Sequence, residues 1–372
     1  MHQGSQFHSV STTAPAAVLN GVPGVPGDVA IRVVDPATEP GWDSRIAHLP
    51  GFTLFHGSAW SNVLKDSYGF RARYLVAESQ GVPCGLLPLM EVDNWPKGRR
   101  GVSLPFTDEA RCLAASATVQ DRLANALLNE GKRRNWKYVE TRGMAQLFGG
   151  EQPSLSFYNH RLCLHPDEAQ LFAECSGAVR RGVRKASQLG LTVVVSNRVE
   201  AVNSFYRLHL KTRRKHGIPP QSFTFFKHLH RRLLECGQGF VTTASVAGQP
   251  VAAAVFLTAG NRAVYKFGAS DEQFQRLRGN NLVMWESIRW LARNDFVELD
   301  LGRTSLANEG LRRFKLGWGA AESRIDYCKY DFAGQRFVTD VDFGSPRYTE
   351  LFKLLPNMLC RRVGALIYSR IA

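Results

Sequence analysis

The sequence has no run of about 18 consecutive apolar residues, so no segment is long enough to span a bilayer as a helix. It also has no G-x-S-x-G, P-loop or G-x-G-x-x-G motif, which argues against a serine hydrolase, a P-loop NTPase and a classical dinucleotide-binding enzyme. What is present is a globular composition. The 372 residues, of which 44% are hydrophobic and 21% charged, can form about two domains.

Cysteine is scarce, at seven residues, and no two cysteines form a C-x-x-C pair. This spacing argues against a disulfide framework and a zinc site, and it fits a reducing compartment. The histidines supply no convincing ligand pair either, so we expect no bound metal. Four of the cysteines lie in or beside apolar runs, which predicts small buried side chains: Cys84, Cys163, Cys236 and Cys328.

Acidic residues are few relative to basic ones, because 32 Asp+Glu stand against 47 Lys+Arg and leave a net charge of +15. Such an excess favours partners that carry phosphates: nucleic acid, a nucleotide-containing cofactor or an anionic membrane surface. The alternative is an excess spread evenly over a solvated surface. Clustering of the bases argues partly against that alternative, with clusters at 180–185, 211–216, 276–278, 312–315 and 361–362.

The two ends of the chain differ from the rest. Residues 1–28 are rich in Gly, Pro, Ser, Thr and Ala and contain no Lys or Arg, which predicts a disordered leader rather than an export signal. Residues 336–372 form a basic amphipathic tail. Such a tail can lie on an anionic membrane surface, but docking onto the second half of the chain explains the same pattern and is the interpretation we prefer.

One order of elements occurs twice in the chain. Alternation and turn residues predict a hairpin, then a helix, then a strand in each half. The order favours a tandem duplication of one α/β unit, with chance similarity of two ordinary α/β segments as the alternative. The predicted elements lie at 72–91, 117–134 and 136–141 in the first half and at 239–260, 280–293 and 296–301 in the second, where a further strand at 263–267 follows the hairpin.

A helical insert separates the two units. On its second helix, an apolar stripe lies opposite a basic face and consists of Val179, Val183, Ala186 and Leu189. We therefore predict an α/β fold with mixed sheets. The insert is predicted to contain a short helix from 167, a helix at 178–188, a strand at 191–195, and helices at 199–215 and 222–235.

The segment 296–319, FVELDLGRTSLANEGLRRFKLGWG, carries the most informative pattern. Period-2 alternation places Asp300 on the polar face of a strand. Gly302 allows a sharp turn where the strand ends, and Arg303 and Lys315 supply positive charge nearby. A carboxylate beside cations at a strand's end can accept a proton in transfer chemistry, while a structural salt bridge at a sheet edge is the alternative.

Several segments together carry a resemblance to a known family: V-R-R-G-V-R-K-A (179–186), F-Y-R-L-H-L-K-T-R-R-K-H-G-I-P (205–219), D-L-G-R-T (300–304), F-K-L-G-W-G (314–319), W-x-x-V-L (60–64) and S-L-P-F-T-D (103–108). In their order and spacing they resemble the Fem-type branch of the GNAT acyltransferase superfamily. This group includes peptidoglycan-bridge aminoacyltransferase-like and BioF-like acetyltransferase-like proteins of envelope and exopolysaccharide pathways. The resemblance covers roughly residues 30–330.

The resemblance implies two GNAT-like lobes in tandem. We expect a first lobe at 29–165 and a second lobe, with the insert, at 166–335, between the leader 1–28 and the tail 336–372. It implies direct acyl transfer to an amine, or less often a hydroxyl, in the cytoplasm or at the inner membrane surface. The donor is either an acyl-CoA or an aminoacyl-tRNA, and the acceptor amine is free, lipid-linked or sugar-linked.

The resemblance also implies that a helix start binds the donor phosphates through its backbone N–H groups. The candidate segment departs from the GNAT Q/R-x-x-G-x-G/A signature, because it has one glycine in a displaced position. An ordinary capped surface helix is the alternative. We expect Gly279 to admit a close approach of the ligand to the backbone, and Asn280 or Asn281 to cap the helix. The residues expected to bind the cofactor are Arg276, Arg278, Gly279, Asn280 and Asn281.

The remaining site residues follow from the resemblance as well. Asp300 is expected to act as the base or to orient the amine, with Arg303 and Lys315 as its electrostatic partners. Trp318 is expected to form a wall of the site, although a core aromatic is an equal alternative. The substrate is expected to contact a basic helix through Arg181, Arg184 and Lys185, although these residues could instead form a solvated face. It is also expected to contact a first-lobe loop through Ser103 and Asp108.

Two other classes of function stay open at this point. A non-catalytic protein built on a degenerate pair of lobes could use its basic clusters to bind tRNA, with an affinity that falls steeply as salt rises. A peripheral membrane scaffold could use the basic tail.

Overall fold

A computed structural model describes residues 29–94, 97–340 and 357–368. The predicted leader, residues 1–28, lies outside these ranges, and so does most of the predicted tail. The first half of the described chain contains β1 (Val29–Val34), α1 (Trp42–Ile46), a 3₁₀ turn (Leu54–His56), α2 (Ser58–Tyr68), β2 (Arg71–Ala72), β3 (Tyr74–Ser79), β4 (Val82–Leu87), β5 (Met90–Asn94), β6 (Gly98–Val102), β7 (Leu113–Ala114), α3 (Ala117–Arg133), β8 (Tyr138–Arg142), a 3₁₀ turn (Ala145–Phe148) and β9 (Leu155–Cys163).

The second half begins with the predicted insert and then repeats the order of hairpin, helix and strand. It contains α4 (Glu168–Glu174), α5 (Gly177–Gln188), β10 (Thr192–Ser196), α6 (Val199–Lys215), α7 (Phe223–Leu229) with a π-helical turn (His230–Leu234), β11 (Gly239–Val246), β12 (Gln249–Ala259), β13 (Arg262–Ser270), a 3₁₀ turn (Glu272–Leu277), α8 (Gly279–Arg293), β14 (Glu298–Ser305), α9 (Glu309–Leu316), β15 (Ala321–Asp331), β16 (Arg336–Phe337) and α10 (Asn357–Tyr368).

The strands form two sheets. A small sheet has the order β1-β3-β4-β7, and a large sheet runs β10-β11-β12-β13-β14-β9-β15-β8-β6-β5-β2, with β16 beside β15. Parallel pairs (β6 with β8, β13 with β14) occur among antiparallel ones, which confirms the predicted α/β class with mixed sheets. The large sheet continues across the expected lobe boundary at residue 165, because β15 pairs with both β9 and β8. That boundary stays a prediction.

The two halves share one local topology. In each, a hairpin leads into a crossover helix, and the strand after the helix pairs in parallel with the strand before it. In the second half this unit is β12-β13-α8-β14. In the first half it is β5-β6-α3-β8, so the hairpin predicted at 72–91 is not its counterpart. That hairpin is β3-β4, which lies in the small sheet.

The insert helix α7 packs against α2 of the first half, and α6 packs against α7 and the strands β11 to β13. Aromatic side chains dominate this contact, with Trp60, Phe205, Phe225 and Phe226 all fully buried. Aromatic rings in edge-to-face contact add stabilisation beyond the area that they bury. The insert therefore joins the two halves in one hydrophobic core.

The helix α10 docks onto this assembly. A Cβ atom added to Gly364 would lie 2.0 Å from the backbone oxygen of Pro220, so the helix backbone approaches the α6–α7 connection closely. The Tyr368 ring lies 5.5 Å from the Phe106 ring, centroid to centroid. These contacts agree with the docking interpretation of the tail. Within the described ranges, every helix is too short or too polar to cross a membrane.

The burial of the cysteines agrees only partly with expectation. Cys84 and Cys328 are buried, but Cys163 and Cys236 are exposed. Cys163 ends β9 on the outward side of the alternation, and Cys236 lies in the turn after α7. The prediction of buried side chains was wrong for these two because each lies at the boundary of its element.

Candidate active site

The polar face of β14 borders a cavity of about 380 Å³. Leu299 and Leu301 are buried on the other face, where they pack with α8, so alternation leaves Asp300 facing the cavity. The cavity lies between the two halves. Its lining comes from Gly51, Phe52, Thr53, Leu54, Phe55, His56, Asp108, Glu109, Arg111, Asn159, Arg161, Leu257, Ala259, Arg262, Ala263, Val264, Lys266, Glu298, Asp300 and Gly302.

A bulge follows Asp300, where the register between β14 and β9 shifts. Gly302 adopts a φ of 73°, and a Cβ atom there would lie 2.6 Å from Asp108 Oδ2, so only glycine fits without strain. The N–H of Gly302 donates to Asp300 Oδ1 at 2.7 Å, and the N–H of Arg303 donates to Asp108 Oδ2 at 3.3 Å. Two carboxylates from different halves of the chain therefore hold the bulge, Asp300 at Gly302 and Asp108 at Arg303.

Lys315 holds the other side of this bulge. Its Nζ donates to the carbonyl oxygen of Gly302 at 2.7 Å and to that of Arg303 at 2.9 Å. The residue is only 3% exposed, and burial lowers the pKa of its ammonium to about 8, although Asp108 and Asp300 act to raise it. The structure thus brings the three predicted catalytic residues together around the bulge, where Asp300 lines the cavity and Lys315 does not. Lys315 keeps its positive charge at neutral pH.

Arg303 supports the site from behind. Its guanidinium lies over the Phe157 ring at 4.3 Å, donates to the Tyr327 hydroxyl at 3.1 Å, and approaches Asp108 at 3.4 Å. It is not among the side chains that line the cavity. The expected role as an electrostatic partner fits this position better than direct contact with a substrate.

Asp108 reaches the cavity on a loop that is fixed through its carbonyl groups. Lys266 donates to Phe106 O at 2.6 Å, Arg142 donates to Thr107 O at 3.0 Å, and Tyr327 donates to Asp108 O at 2.6 Å. Burial acts to raise the pKa of the Asp108 carboxyl, but the charges of Lys266 and Arg303 outweigh it and lower the pKa. Asp108 therefore stays ionised, as a partner for a cation or an amine.

Ser103 and Trp318 do not reach the cavity. Ser103 is fully buried, and its hydroxyl accepts a hydrogen bond from the backbone N–H of Arg142 at 2.8 Å, so it fixes the loop and does not contact a ligand. Trp318 is 1% exposed and packs in the second-half core beside Phe314, because the turn after α9 directs it inward. The structure supports the core alternative for Trp318.

Several polar residues of the cavity were missed from the sequence. Asn159 and Arg161 on β9 donate to Asp300 Oδ2 at 3.2 and 3.3 Å. Two polar residues at period-2 spacing in an apolar strand were the available signal. His56 and Lys266 also line the cavity.

His56 is neutral at physiological pH, because burial lowers its pKa to about 4. Its Nε2 donates to the Arg111 carbonyl at 2.9 Å, and its Nδ1 accepts from the Thr53 N–H at 3.1 Å. Burial also lowers the pKa of Lys266, whose ammonium faces the rings of Phe55 and Trp60 at 5.2 and 5.3 Å.

The strands β13 and β14 separate beyond the cavity. They pair at three positions, 262–264 with 298–300, and β14 then continues beside β9. Because the strands are parallel, this opening lies at the edge of the sheet where α8 begins. Two charged residues flank the start of α8, and both are exposed: Arg276 and Arg278.

The start of α8 differs in detail from the prediction. The helix begins at Gly279, so Arg278 occupies the capping position with a φ of 59°, and its side chain makes no capping hydrogen bond to the described residues. The expected asparagine cap was wrong, because both asparagines lie inside the first turn. Asn280 donates to the Ser270 hydroxyl at 3.2 Å, and Asn281 packs against Gly182 of α5.

Gly279 admits a close approach, but the neighbour is the protein itself. A Cβ atom at this position would lie 3.0 Å from the Cβ atom of Ala252 on β12. The expected approach of a ligand to this glycine is therefore replaced by packing of the helix on the sheet. Helix geometry leaves the N–H groups of Gly279 and Asn280 without an intrahelical acceptor, whereas that of Asn281 donates to Arg278 O at 3.0 Å.

The basic helix α5 lies beside this point. The predicted apolar stripe of α5 is confirmed at Val179, Val183 and Ala186, which are buried, but was wrong at Leu189, which is exposed because it follows the last residue of the helix. The basic residues of the other face are exposed: Arg181, Arg184 and Lys185. A Cβ atom on Gly182 would lie 2.9 Å from the Asn281 side chain, so α5 adjoins the start of α8. The first turn of α5 also contacts the end of α9, where the Ser176 N–H donates to Gly317 O at 2.8 Å.

Residues 173–323 match the family model described as acetyltransferase (GNAT) domain. The second half of the chain is therefore similar to a GNAT acetyltransferase domain. No curated protein matches the chain. Among the described residues, no group of three or more His, Cys, Asp or Glu side chains is arranged to hold a metal ion.

Several solved structures share the fold over most of the chain. FemX is 15% identical, with a TM-score of 0.60, and the match covers 76% of this chain and 94% of FemX. A tandem GNAT protein from the clavulanic acid biosynthesis pathway is 12% identical (TM-score 0.53; 82% and 98% covered). L-PGS from Bacillus licheniformis is 13% identical (TM-score 0.52; 88% and 96% covered). The chain therefore shares the fold of these structures, one of which is a tandem GNAT protein.

Proposed function

We propose that the chain transfers an acyl group from a phosphate-bearing donor to an amine, in the cavity that Asp108 and Asp300 line. The observation that carries this proposal is the bulge at Gly302 and Arg303, which two carboxylates and Lys315 hold at the opening between β13 and β14. The cavity lies on one face of the sheet and α8 on the other. A donor held at α8 and an acceptor in the cavity meet at this opening.

The amine is oriented by Asp300, whose position is fixed by Asn159, Arg161 and the Gly302 N–H. Its nitrogen attacks the donor carbonyl and forms an amide bond. The C–S bond of a thioester or the C–O bond of an ester breaks, and the leaving thiolate or alkoxide takes up the proton that the amine loses, with Asp300 as the intermediate acceptor.

Lys315 stabilises the transition state. An ammonium has three N–H donors, and two of them are used by the carbonyl groups of Gly302 and Arg303. The third donor and the fixed charge remain for the oxygen that becomes negative during the attack. Such a preorganised charge in a site of low polarity is worth more than the same charge in water.

The donor phosphates are assigned to the start of α8. Its free N–H groups, Arg276 and Arg278 form the inner part of this site, and the exposed bases of α5 extend it: Arg181, Arg184 and Lys185. Acyl-CoA and aminoacyl-tRNA both fit this chemistry. We assign the acceptor amine to cell-envelope or exopolysaccharide biosynthesis in the cytoplasm, with contact to the inner membrane surface as the alternative setting. The folds of FemX and L-PGS support the envelope assignment.

The test is transfer by the purified protein, with acyl-CoAs and aminoacyl-tRNAs offered as donors and native mass spectrometry used to detect donor binding. Asp300→Asn should reduce transfer by roughly a hundredfold or more while donor binding is retained. Asp121→Asn, which changes an exposed carboxylate on α3, is the matched control. Transfer from no donor, together with tight and salt-sensitive RNA binding, would instead support the non-catalytic alternative.

A further inference from the structure

A second cavity of about 200 Å³ adjoins the first. It is smaller than a typical complete ligand site, for which about 300 Å³ is the lower limit, so it suits one part of a longer molecule. Glu109 and Arg111 line both cavities, and a single segment of chain thus separates them. The second cavity is lined by Glu109, Arg111, Cys112, Gln120, Gly143, Met144, Ala145, Gln146, Leu147, Arg324, Ile325 and Asp326.

The acids of this cavity are already paired. The Glu109 side chain is 15% exposed, and its two oxygens accept from Arg161 and, at 2.7 Å, from Arg111. The Asp326 side chain is 28% exposed and accepts from the Ser156 hydroxyl and, at 2.9 Å, from Arg324. Both bonds to Asp326 are made by Oδ1, and each of the two carboxylates has its charge balanced by an arginine.

The two arginines are the groups that face solvent. The Arg111 side chain is 54% exposed and the Arg324 side chain is 60% exposed. Arg111 bonds Glu109 through Nε, which leaves its terminal nitrogens for other acceptors. Arg324 uses Nε and one terminal nitrogen, Nη2. A planar guanidinium with free N–H groups matches the oxygens of a carboxylate or a phosphate.

We propose that the second cavity binds an anionic group, a carboxylate or a phosphate, that belongs to the same acceptor molecule whose amine lies at Asp300. This inference rests on the proposed function, because it assigns the first cavity to the acceptor amine. The chain Asp300–Arg161–Glu109–Arg111 connects the two positions through ion pairs. The acceptor therefore spans this series of ion pairs, with its cationic end at the carboxylates of the first cavity and its anionic end at Arg111 and Arg324.

The test uses pairs of acceptors that differ only in the anion. Glucosamine 1-phosphate is compared with glucosamine, and a dipeptide that ends in lysine is compared with its C-terminal amide. Dissociation constants are measured by calorimetry without donor, and kcat/KM is measured with donor. In at least one pair the anionic member should bind roughly ten- to a hundredfold more tightly, the effect of hydrogen bonds to a charged group. The pair that shows the preference distinguishes phosphate from carboxylate.

Arg324→Gln is the main variant, since Arg324 lines only the second cavity. It should abolish most of the preference for the anionic member and leave binding of the neutral member unchanged. Arg198→Gln, at the exposed start of α6, is the matched control and should retain the preference. Arg111→Gln gives a second test if Arg324→Gln does not fold.

The outcomes separate this inference from the proposed function. Equal binding of both members in both pairs, binding of none of the four compounds, or an unchanged preference in Arg324→Gln would each overturn the anionic subsite. Transfer without any preference would overturn the subsite alone. Binding that depends on the anion and on Arg324, without transfer to any of the compounds, would retain the subsite and argue against the proposed reaction.

Discussion

The crossover helices of the two halves, α3 and α8, occupy equivalent places but begin differently. The first turn of α3 is closed by Ser116, whose hydroxyl accepts from the N–H of Val119 at 3.3 Å. The first turn of α8 has Arg278 at the capping position, with a positive φ and no capping bond among the described residues. The start of α3 is thus capped by a side chain, and the start of α8, where we propose that the donor binds, is not.

The strands that follow these helices also differ, in what their acidic residues contact. In the first half, Glu140 on β8 forms an ion pair at 2.8 Å with Arg142, which fixes the Asp108 loop. In the second half, Asp300 on β14 faces the cavity and shares the bulge with Lys315. The two units therefore differ in their tasks: the unit of the first half supports a loop, and the unit of the second half carries the proposed chemistry.

The largest expected effect is on the transfer rate, and it lies at Lys315 of the second half. Lys315→Met should reduce transfer by roughly a hundred- to a thousandfold, as loss of one preorganised donor does, because the developing negative charge loses its nearest cation. Donor binding should be retained. Single-turnover rates and a melting curve measure the two consequences. A variant that folds and keeps more than about a tenth of the wild-type rate would contradict this role.

The next effect concerns a first-half cluster that serves stability alone. Glu91 is fully buried, and its oxygens accept from Arg134 at 2.7 Å and from the Trp136 indole at 2.8 Å. Burial acts to raise its pKa, but these bonds outweigh burial and lower the pKa to about 2. Because the folded pKa is depressed, this stability is present above about pH 4.5 and is lost as the pH falls toward 2.

Glu91→Gln should therefore lower the free energy of unfolding at pH 7 by about 2 kcal/mol, since it removes one partner of a buried pair whose arginine is partly exposed. The loss should be smaller at pH 3. Urea titrations at the two pH values measure it, with Glu235→Gln as an exposed control. Transfer per folded molecule should not change. An equal loss at both pH values would mean that packing, and not charge, is responsible.

A pH profile sharpens the assignment of Lys315. Burial lowers the pKa of its ammonium from 10.5 to about 8, so the charge is present below this pH and is lost above it. Transfer in the wild type should fall by about tenfold per pH unit above that value if the charged form is required. For stability the sign is opposite: deprotonation is favoured in the folded state, so this group adds stability as the pH rises from about 8 toward 10.5. Lys315→Met should lack the alkaline decrease in rate, and a decrease that persists in this variant would assign it to another group.

The sequence was sufficient for most of the fold and for part of the site. Helices and hairpins were predicted because their periodicity is local, and Asp300, Arg303 and Lys315 were found because they lie within 15 residues of one another in one motif. Arg161 was missed because its contact with Asp300 depends on the pairing of β9 with β14, which joins residues 139 positions apart. The asparagine cap was predicted wrongly because the start of α8 is set by the left-handed conformation of Arg278, which residue type alone does not indicate.

The smallest expected effects test the contrast between the two helix starts, and they have opposite signs. Ser116→Ala removes a cap and should lower the free energy of unfolding by about 1 kcal/mol without changing donor binding. Arg278→Gly places glycine at a positive φ and should raise the free energy of unfolding by up to about 1 kcal/mol while donor binding weakens severalfold. Melting curves and donor titrations at two salt concentrations measure both quantities. If Arg278→Gly binds the donor as the wild type does, with the same dependence on salt, the start of α8 is no more a ligand site than the start of α3 is.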